Sequence, residues 1–201
     1  MPSLTLIRHG QSTYNFANLF TGQLDAPLTS TGAEEAVLAG KKLKAMVFNI
    51  AYTSLLIRAQ ETLRIILQEI SQTTITVIKS GALDERMYGD LQGLNKADTA
   101  AKYGASQVEI WRRSYDIRPP GGESLEDTFN RVVPYYTSEI APRLTQGENV
   151  MVVAHGNSLR ALMMHLENIS PIDIAGLNIA TCLPRIYNFN AGMELIDVKY
   201  I

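Results

Sequence analysis

The chain has 201 residues, 46% of them hydrophobic and 19% charged, a balance that suits one folded domain and is too apolar for a disordered chain. Eighteen Lys and Arg against twenty Asp and Glu leave a formal charge of -2, so no overall basic field supports a nucleic-acid or anionic-membrane partner. A lone cysteine, Cys182, cannot staple a fold, and the start Met-Pro-Ser-Leu-Thr lacks the basic segment and apolar run of a signal peptide. No later run approaches the roughly 20 apolar residues of a spanning helix, and the expectation is a cytoplasmic protein.

In chain order, Leu4 to Ile7 reads as a buried strand cut off by Arg8-His9-Gly10. Thr31-Gly-Ala-Glu34 has the spacing of a capping box and opens a helix to about Met46, with Ala36, Val37, Gly40 and Leu43 on one stripe. A strand at Asn49 to Thr53, a helix over Leu56 to Ile70 and a β-branched strand at Thr74 to Ile78 follow. Leu83 to Pro120 is rich in charge, Tyr and Gly, with short helical pieces at 95–103 and 106–115, and reads as an excursion laid over the core. Ser124-Leu-Glu-Asp127 caps a long helix running towards Glu139. Asn149 to Ala154 is a very apolar strand, followed by His155-Gly-Asn157, a helix over 158–167, a short helix after Ser170-Pro171 and a hairpin of 185–190 with 195–199. Strands alternating with helices predict a single α/β domain over 1–201, a three-layer α/β/α sandwich with a mostly parallel sheet.

Sites in such sheets form beyond the carboxyl ends of strands, and two strands end alike, in Arg8-His9-Gly10 and in His155-Gly156-Asn157. Two of the three histidines therefore sit at strand exits, each followed by a glycine that lets the backbone turn and a ligand approach main-chain amides. The third, His165, lies within a helix beside Met163, Met164 and Leu166 and reads as a structural side chain. Neither exit has metal-ligand spacing, and Arg8 is a poor neighbour for a cation. Arginine beside histidine suits a phosphoryl group, held by the guanidinium while neutral imidazole attacks phosphorus. Gly40-Lys41 fails as a nucleotide loop, because Glu35 stands where its first glycine belongs and Lys42 where Ser or Thr belongs.

Leu-Ile-Arg-His-Gly-Gln-Ser at 6–12 resembles the signature of the histidine phosphatase superfamily. Further matches in order along the chain resemble its cofactor-dependent phosphoglycerate mutase branch: Asn15, Phe20-Thr-Gly22, Tyr52-Thr-Ser54 with Arg58-Ala59, Asp84-Glu-Arg86 with Tyr88-Gly89, Leu91 to Lys96, Trp111-Arg-Arg113 and Ala154 to Arg160. The resemblance implies that His9 carries phosphate, that Arg8, Arg58 and His155 surround the phosphoryl oxygens, and that Glu85 is the general acid and base. Gly156 and Asn157 would add neutral donors. Asn15, Thr21, Gly22, Arg86, Tyr88, Lys96, Arg112 and Arg113 would hold the carboxylate and second phosphate of a three-carbon acid. It implies 2,3-bisphosphoglycerate as primer, no metal, and a homodimer or homotetramer as the assembly to look for. On the residues alone, Glu85 could instead pair with adjacent Arg86, and Arg112-Arg113 could be a solvated charge pair.

The superfamily includes phosphatases, and a phosphate-binding module on the same fold is a third reading. Thr21-Gly22, Lys96, the double arginine and Asn157 resemble mutase contacts and favour interconversion of 3- and 2-phosphoglycerate over hydrolysis of small phosphate esters. Three features depart from the branch. Only Gly121-Gly122 stands between Pro119-Pro120 and Glu123-Ser-Leu125, as in its short form; Met87 replaces a common histidine; and Thr181-Cys-Leu-Pro184 replaces a more usual Thr-Gly-Val-Pro.

Overall fold

The structure, a computed structural model, describes residues 1–201. Six strands, β1 (Ser3–Arg8), β2 (Ile50–Thr53), β3 (Thr76–Lys79), β4 (Asn149–Ala154), β5 (Arg185–Phe189) and β6 (Leu195–Tyr200), form one sheet in the order β3-β2-β4-β1-β5-β6. The first four run parallel, and the β5–β6 hairpin adds an antiparallel edge to β1. β4 is apolar on both faces because both are covered. Val150, Val152 and Ala154 join one core cluster, while Met151 and Val153 join the other.

Helices α2 (Ser30–Leu43) and α3 (Ile57–Glu69) bury Ala36, Leu43, Leu63 and Ile66 in the second cluster. On the opposite face, α6 (Leu125–Tyr135) and α8 (Gly156–Glu167) supply Val132, Leu159 and Leu162 to the first. The result is the expected three-layer sandwich. A single turn, α1 (Thr13–Phe16), follows β1, and α4 (Lys96–Tyr103) and α5 (Ala105–Arg113) lie in the excursion.

Three expectations change in detail. Thr29, not Thr31, caps α2: its hydroxyl accepts from Gly32 N at 3.0 Å and donates to Gln11 Oε1 at 3.0 Å. The earlier start presses Gly32 against the loop after β1, where a Cβ on Gly10 would stand 2.3 Å from Gly32 O. Gly10 is therefore required by this backbone crossing. Secondly, the helix expected to run towards Glu139 ends at Tyr135 and passes through a π-helical turn, Tyr136–Ile140, into α7 (Ala141–Thr145). Pro142 lacks the N–H that an unbroken helix needs there, and the wider turn absorbs the mismatch. Lastly, α8 starts at Gly156 rather than 158, directly at the strand exit.

The excursion is tied to the loop after α1 by Phe20 N to Leu94 O at 2.9 Å, Gly93 N to Phe20 O at 2.8 Å and Lys96 N to Asn18 O at 2.9 Å. A small cluster of Phe20, Leu91 and Val108 packs beneath those bonds.

Candidate active site

Arg8 of β1 lies opposite Ala154 of β4 in parallel register, so both strands end at the same level and release His9 and His155 side by side. His9 N donates to Ala154 O at 3.0 Å, and the two ring centroids are 5.0 Å apart. Both histidines are buried. His9 Nδ1 lies 2.7 Å from Gly10 O, an oxygen that only accepts, so Nδ1 carries the hydrogen and Nε2 the lone pair. Arg58 Nε donates to that Nε2 at 3.3 Å. Burial, then the charges of Arg58 and Arg8, hold the His9 pKa well below the usual imidazole value and keep the ring neutral. His155 is held low by burial, Arg58 and His9. Its Nε2 meets Ser54 Oγ at 2.7 Å, while its buried Nδ1 has no partner.

Arg58 occupies the first turn of α3, whose N-cap residue Leu56 offers no side-chain acceptor. Neighbouring loops supply the missing carboxylates: Asp84 Oδ1 accepts from Leu55 N at 2.8 Å and Asp25 Oδ1 from Ile57 N at 2.7 Å. So anchored, the 1% exposed Arg58 donates to Gly22 O at 2.7 Å and Leu24 O at 2.9 Å as well as to His9. Arg8 Nη1 donates to Ile179 O at 2.8 Å, leaving a buried Nε without a partner.

Glu85 is 9% exposed, and its two oxygens differ. Oε1 accepts from Arg86 N at 2.8 Å, Asn157 N at 3.0 Å and Asn157 Nδ2 at 3.1 Å, whereas Oε2 accepts no hydrogen bond. Asn157 thus directs its donors at Glu85. No ion pair joins Glu85 to Arg86. The fully buried Arg86 turns Nη2 to Tyr88 Oη at 2.9 Å, Trp111 O at 3.1 Å and Arg112 O at 2.9 Å. It is not among the residues lining the cleft: Nη2 takes the last carbonyls of α5, which have no partner within the helix, while its buried Nε and Nη1 have no partner.

The remaining expected residues, apart from His155 in the wall behind, line one cleft together with His9. Six cations border it, Arg8, Arg58, Lys96, Arg112, Arg113 and Arg160, against the single carboxylate of Glu85, in a protein whose formal charge is -2. Such a lining selects a multiply charged anion. Lys96 opens α4, and burial, then Arg112 and Arg8, lower its pKa. Arg112 and Arg113 share Glu109 at 3.2 and 3.5 Å. No group of three or more His, Cys, Asp or Glu side chains is placed to hold a metal ion.

Sequence reasoning assigned no role to Ser54 or Arg160. Ser54 carried no chemical signal beyond its place at the end of β2. Arg160 had one, since positions 156, 157 and 160 share a helix face, but only once α8 is known to start at Gly156. Burial lowers the Arg160 pKa to about 10.

A family model described as the histidine phosphatase superfamily (branch 1) matches residues 4–198. A protein of Cytophaga hutchinsonii named 2,3-bisphosphoglycerate-dependent phosphoglycerate mutase is 57% identical over 201 residues, covering 100% of this chain and 94% of the relative. One of the same name from Rhizobium rhizogenes is 55% identical, covering 99% and 95%. Among solved structures, a mycobacterial glucosyl-3-phosphoglycerate phosphatase complexed with VO3 superposes with a TM-score of 0.85 at 26% identity, covering 100% of this chain and 97% of that one. With a matching family model along nearly its whole length and its two strand-end histidines side by side, the chain belongs to the histidine phosphatase superfamily.

Proposed function

We propose that this protein interconverts 3-phosphoglycerate and 2-phosphoglycerate through a phosphohistidine at His9, primed by 2,3-bisphosphoglycerate, as a cytoplasmic enzyme of glycolysis and gluconeogenesis. The observation that carries the reading is the cleft itself, lined by a neutral His9, whose Nε2 lone pair is met only by Arg58 Nε, together with Lys96, Arg112 and Arg113. Relatives that are 57% and 55% identical bear the mutase name, which supports this substrate over other phosphate esters. The chain acts as one domain, with the excursion at about 83–120 closing over the site.

The residues fit the primer: Arg8, Arg58, Lys96, Arg112 and Arg113 face one cleft, and Arg8 Nε and His155 Nδ1 are buried polar atoms without partners. When bound, bisphosphoglycerate supplies the phosphoryl group that primes the enzyme. His9 Nε2 attacks phosphorus in line with the departing oxygen. Arg58, released from Nε2, then holds a phosphoryl oxygen together with Arg8, His155 and the Gly156 amide at the start of α8. Glu85 Oε2 gives its proton to the departing oxygen and recovers one from the hydroxyl that attacks in the return step. Lys96, Arg112 and Arg113, with Asn15, Thr21, Gly22 and Tyr88, hold the carboxylate and second phosphate while the acid reorients. Arg86 contributes by fixing the end of α5, which carries the two arginines.

The test follows phosphate label from position 3 to position 2 of glycerate beside release of inorganic phosphate. Label exchange should far outrun release; release equal to or above exchange would make the protein a phosphatase. Activity should also survive exhaustive EDTA treatment, and loss restored by manganese would contradict a metal-free phosphohistidine route.

A further inference from the structure

Asn157 and Arg160 lie one helical turn apart at the start of α8, on the face turned to Glu85. Arg160 Nη1 donates to Asn157 Oδ1 at 3.2 Å, and Asn157 Nδ2 donates to Glu85 Oε1 at 3.1 Å. A guanidinium cannot accept, so the first bond fixes which end of the amide carries oxygen and aims the NH2 group at Glu85. Arg160 is itself locked, 5% exposed, with Nη2 bonded to Ile174 O beyond the end of α8. With Arg86 N and Asn157 N, the amide completes three donors on Oε1 and leaves Oε2 with none.

We infer that Arg160 is a positioning residue that, through Asn157, holds Glu85 with Oε1 anchored and Oε2 as the oxygen that exchanges the proton. The inference rests on the reading of Glu85 as the general acid and base. As His9 is phosphorylated, the donor's P–O bond breaks, the P–N bond to His9 Nε2 forms, and the proton on Oε2 passes to the leaving oxygen. In the return step the P–N bond breaks, a glycerate hydroxyl forms the new P–O bond, and its proton goes to Oε2. Both ends of the cycle need that oxygen in one place. The other charged and titratable groups facing Glu85 are Arg58 of α3, Arg8 of β1, Arg131 of α6 and Tyr88 of its own loop. Tyr88 Oη also accepts from Asn157 Nδ2, at 3.4 Å, but Arg160 alone bonds the amide oxygen and so fixes which end faces Glu85.

The experiment is a double-mutant cycle of Arg160→Met and Glu85→Gln, read as kcat and KM for 3-phosphoglycerate with bisphosphoglycerate present, beside the rate with p-nitrophenyl phosphate, whose good leaving group needs little proton donation. Arg160→Met should lower kcat by about 10- to 100-fold with little change in KM, the scale expected for a displaced catalytic group. It should cost little more in the Glu85→Gln background and leave the first-turnover release of p-nitrophenolate, which reports phosphorylation of His9 alone, nearly intact. Equal losses in both backgrounds, or a raised KM at unchanged kcat, would overturn the inference and make Arg160 a substrate contact. Should Arg160→Met fail to fold, Asn157→Ala removes the same amide and is held to the same outcomes. Near-normal turnover in Glu85→Gln alone would remove the proton carrier, a separate failure of the underlying reading.

Discussion

Arg58 performs a task that depends on the shape of guanidinium as well as its charge. Its three contacts, with His9 Nε2, Gly22 O and Leu24 O, spread over three nitrogens in a fixed fork. Lysine keeps the charge but offers a single ammonium, so it cannot hold the loop at 22–24 and the histidine together. Arg58→Lys should therefore lower turnover by about 100-fold or more, the scale of losing one aligned donor in a dry site. Steady-state kinetics would check this, and activity within threefold of the parent would reduce Arg58 to a charge. At this scale the sequence was legible where residue type and position coincide. His9 and His155 could be singled out because each ends a strand. For Arg86, adjacency to Glu85 does not reveal that its Nη2 reaches the end of α5, at Trp111 O and Arg112 O. The short segment Glu-Arg-x-Tyr-Gly reports which residues are near the site and not which way they face.

Among elements, the short Gly121-Gly122 connection is stitched to a neighbouring loop. It lies against the loop that carries Glu85: Asp90 N donates to Pro120 O at 2.9 Å, and Glu123 N to Met87 O at 2.8 Å. Gly89 has φ +55, and a Cβ there would stand 2.2 Å from Pro120 O. Both the left-handed backbone and the contact forbid a side chain, so Gly89→Ala should cost about 2–3 kcal/mol and lower Tm by roughly 5–10 °C. Turnover should fall with it, because Glu85 moves with the loop. Calorimetry and kinetics on one preparation would check both, and an unchanged Tm would contradict this account of the crossing. The strand order and the two helical layers followed from alternation and apolar runs, whereas this stitching did not, since a Pro-Pro-Gly-Gly run signals a turn without naming what it packs against. The start of α2 was misread for a similar reason. Thr29 and Thr31 are both acceptable caps, and only the approach of Gly32 to the loop after β1 selects the first.

For the whole molecule, the burial that keeps both histidines neutral also makes stability depend on pH. Their folded pKa values lie well below the ordinary value of about 6.5, so below that pH the unfolded chain binds protons that the folded chain refuses. Stability is therefore full above pH 6.5 and falls as pH drops, by about 1.4 kcal/mol per pH unit for each histidine. Urea unfolding at pH 7, 6 and 5 should show that decline, and His9→Gln should remove about half of the histidine contribution. A profile identical to the parent's would place the His9 pKa near its ordinary value. The cationic cleft within a protein of formal charge -2 is likewise a property of the assembled fold, since Arg8, Arg58, Lys96, Arg112, Arg113 and Arg160 are scattered along the chain and converge only when β1, α3, α4, α5 and α8 meet. The most direct test of the account is to incubate the protein with 2,3-bisphosphoglycerate carrying labelled phosphate, quench in alkali and map the acid-labile phosphate. The account predicts label on His9 alone and none in His9→Ala; label on His155 or His165, or stable label retained by His9→Ala, would contradict it.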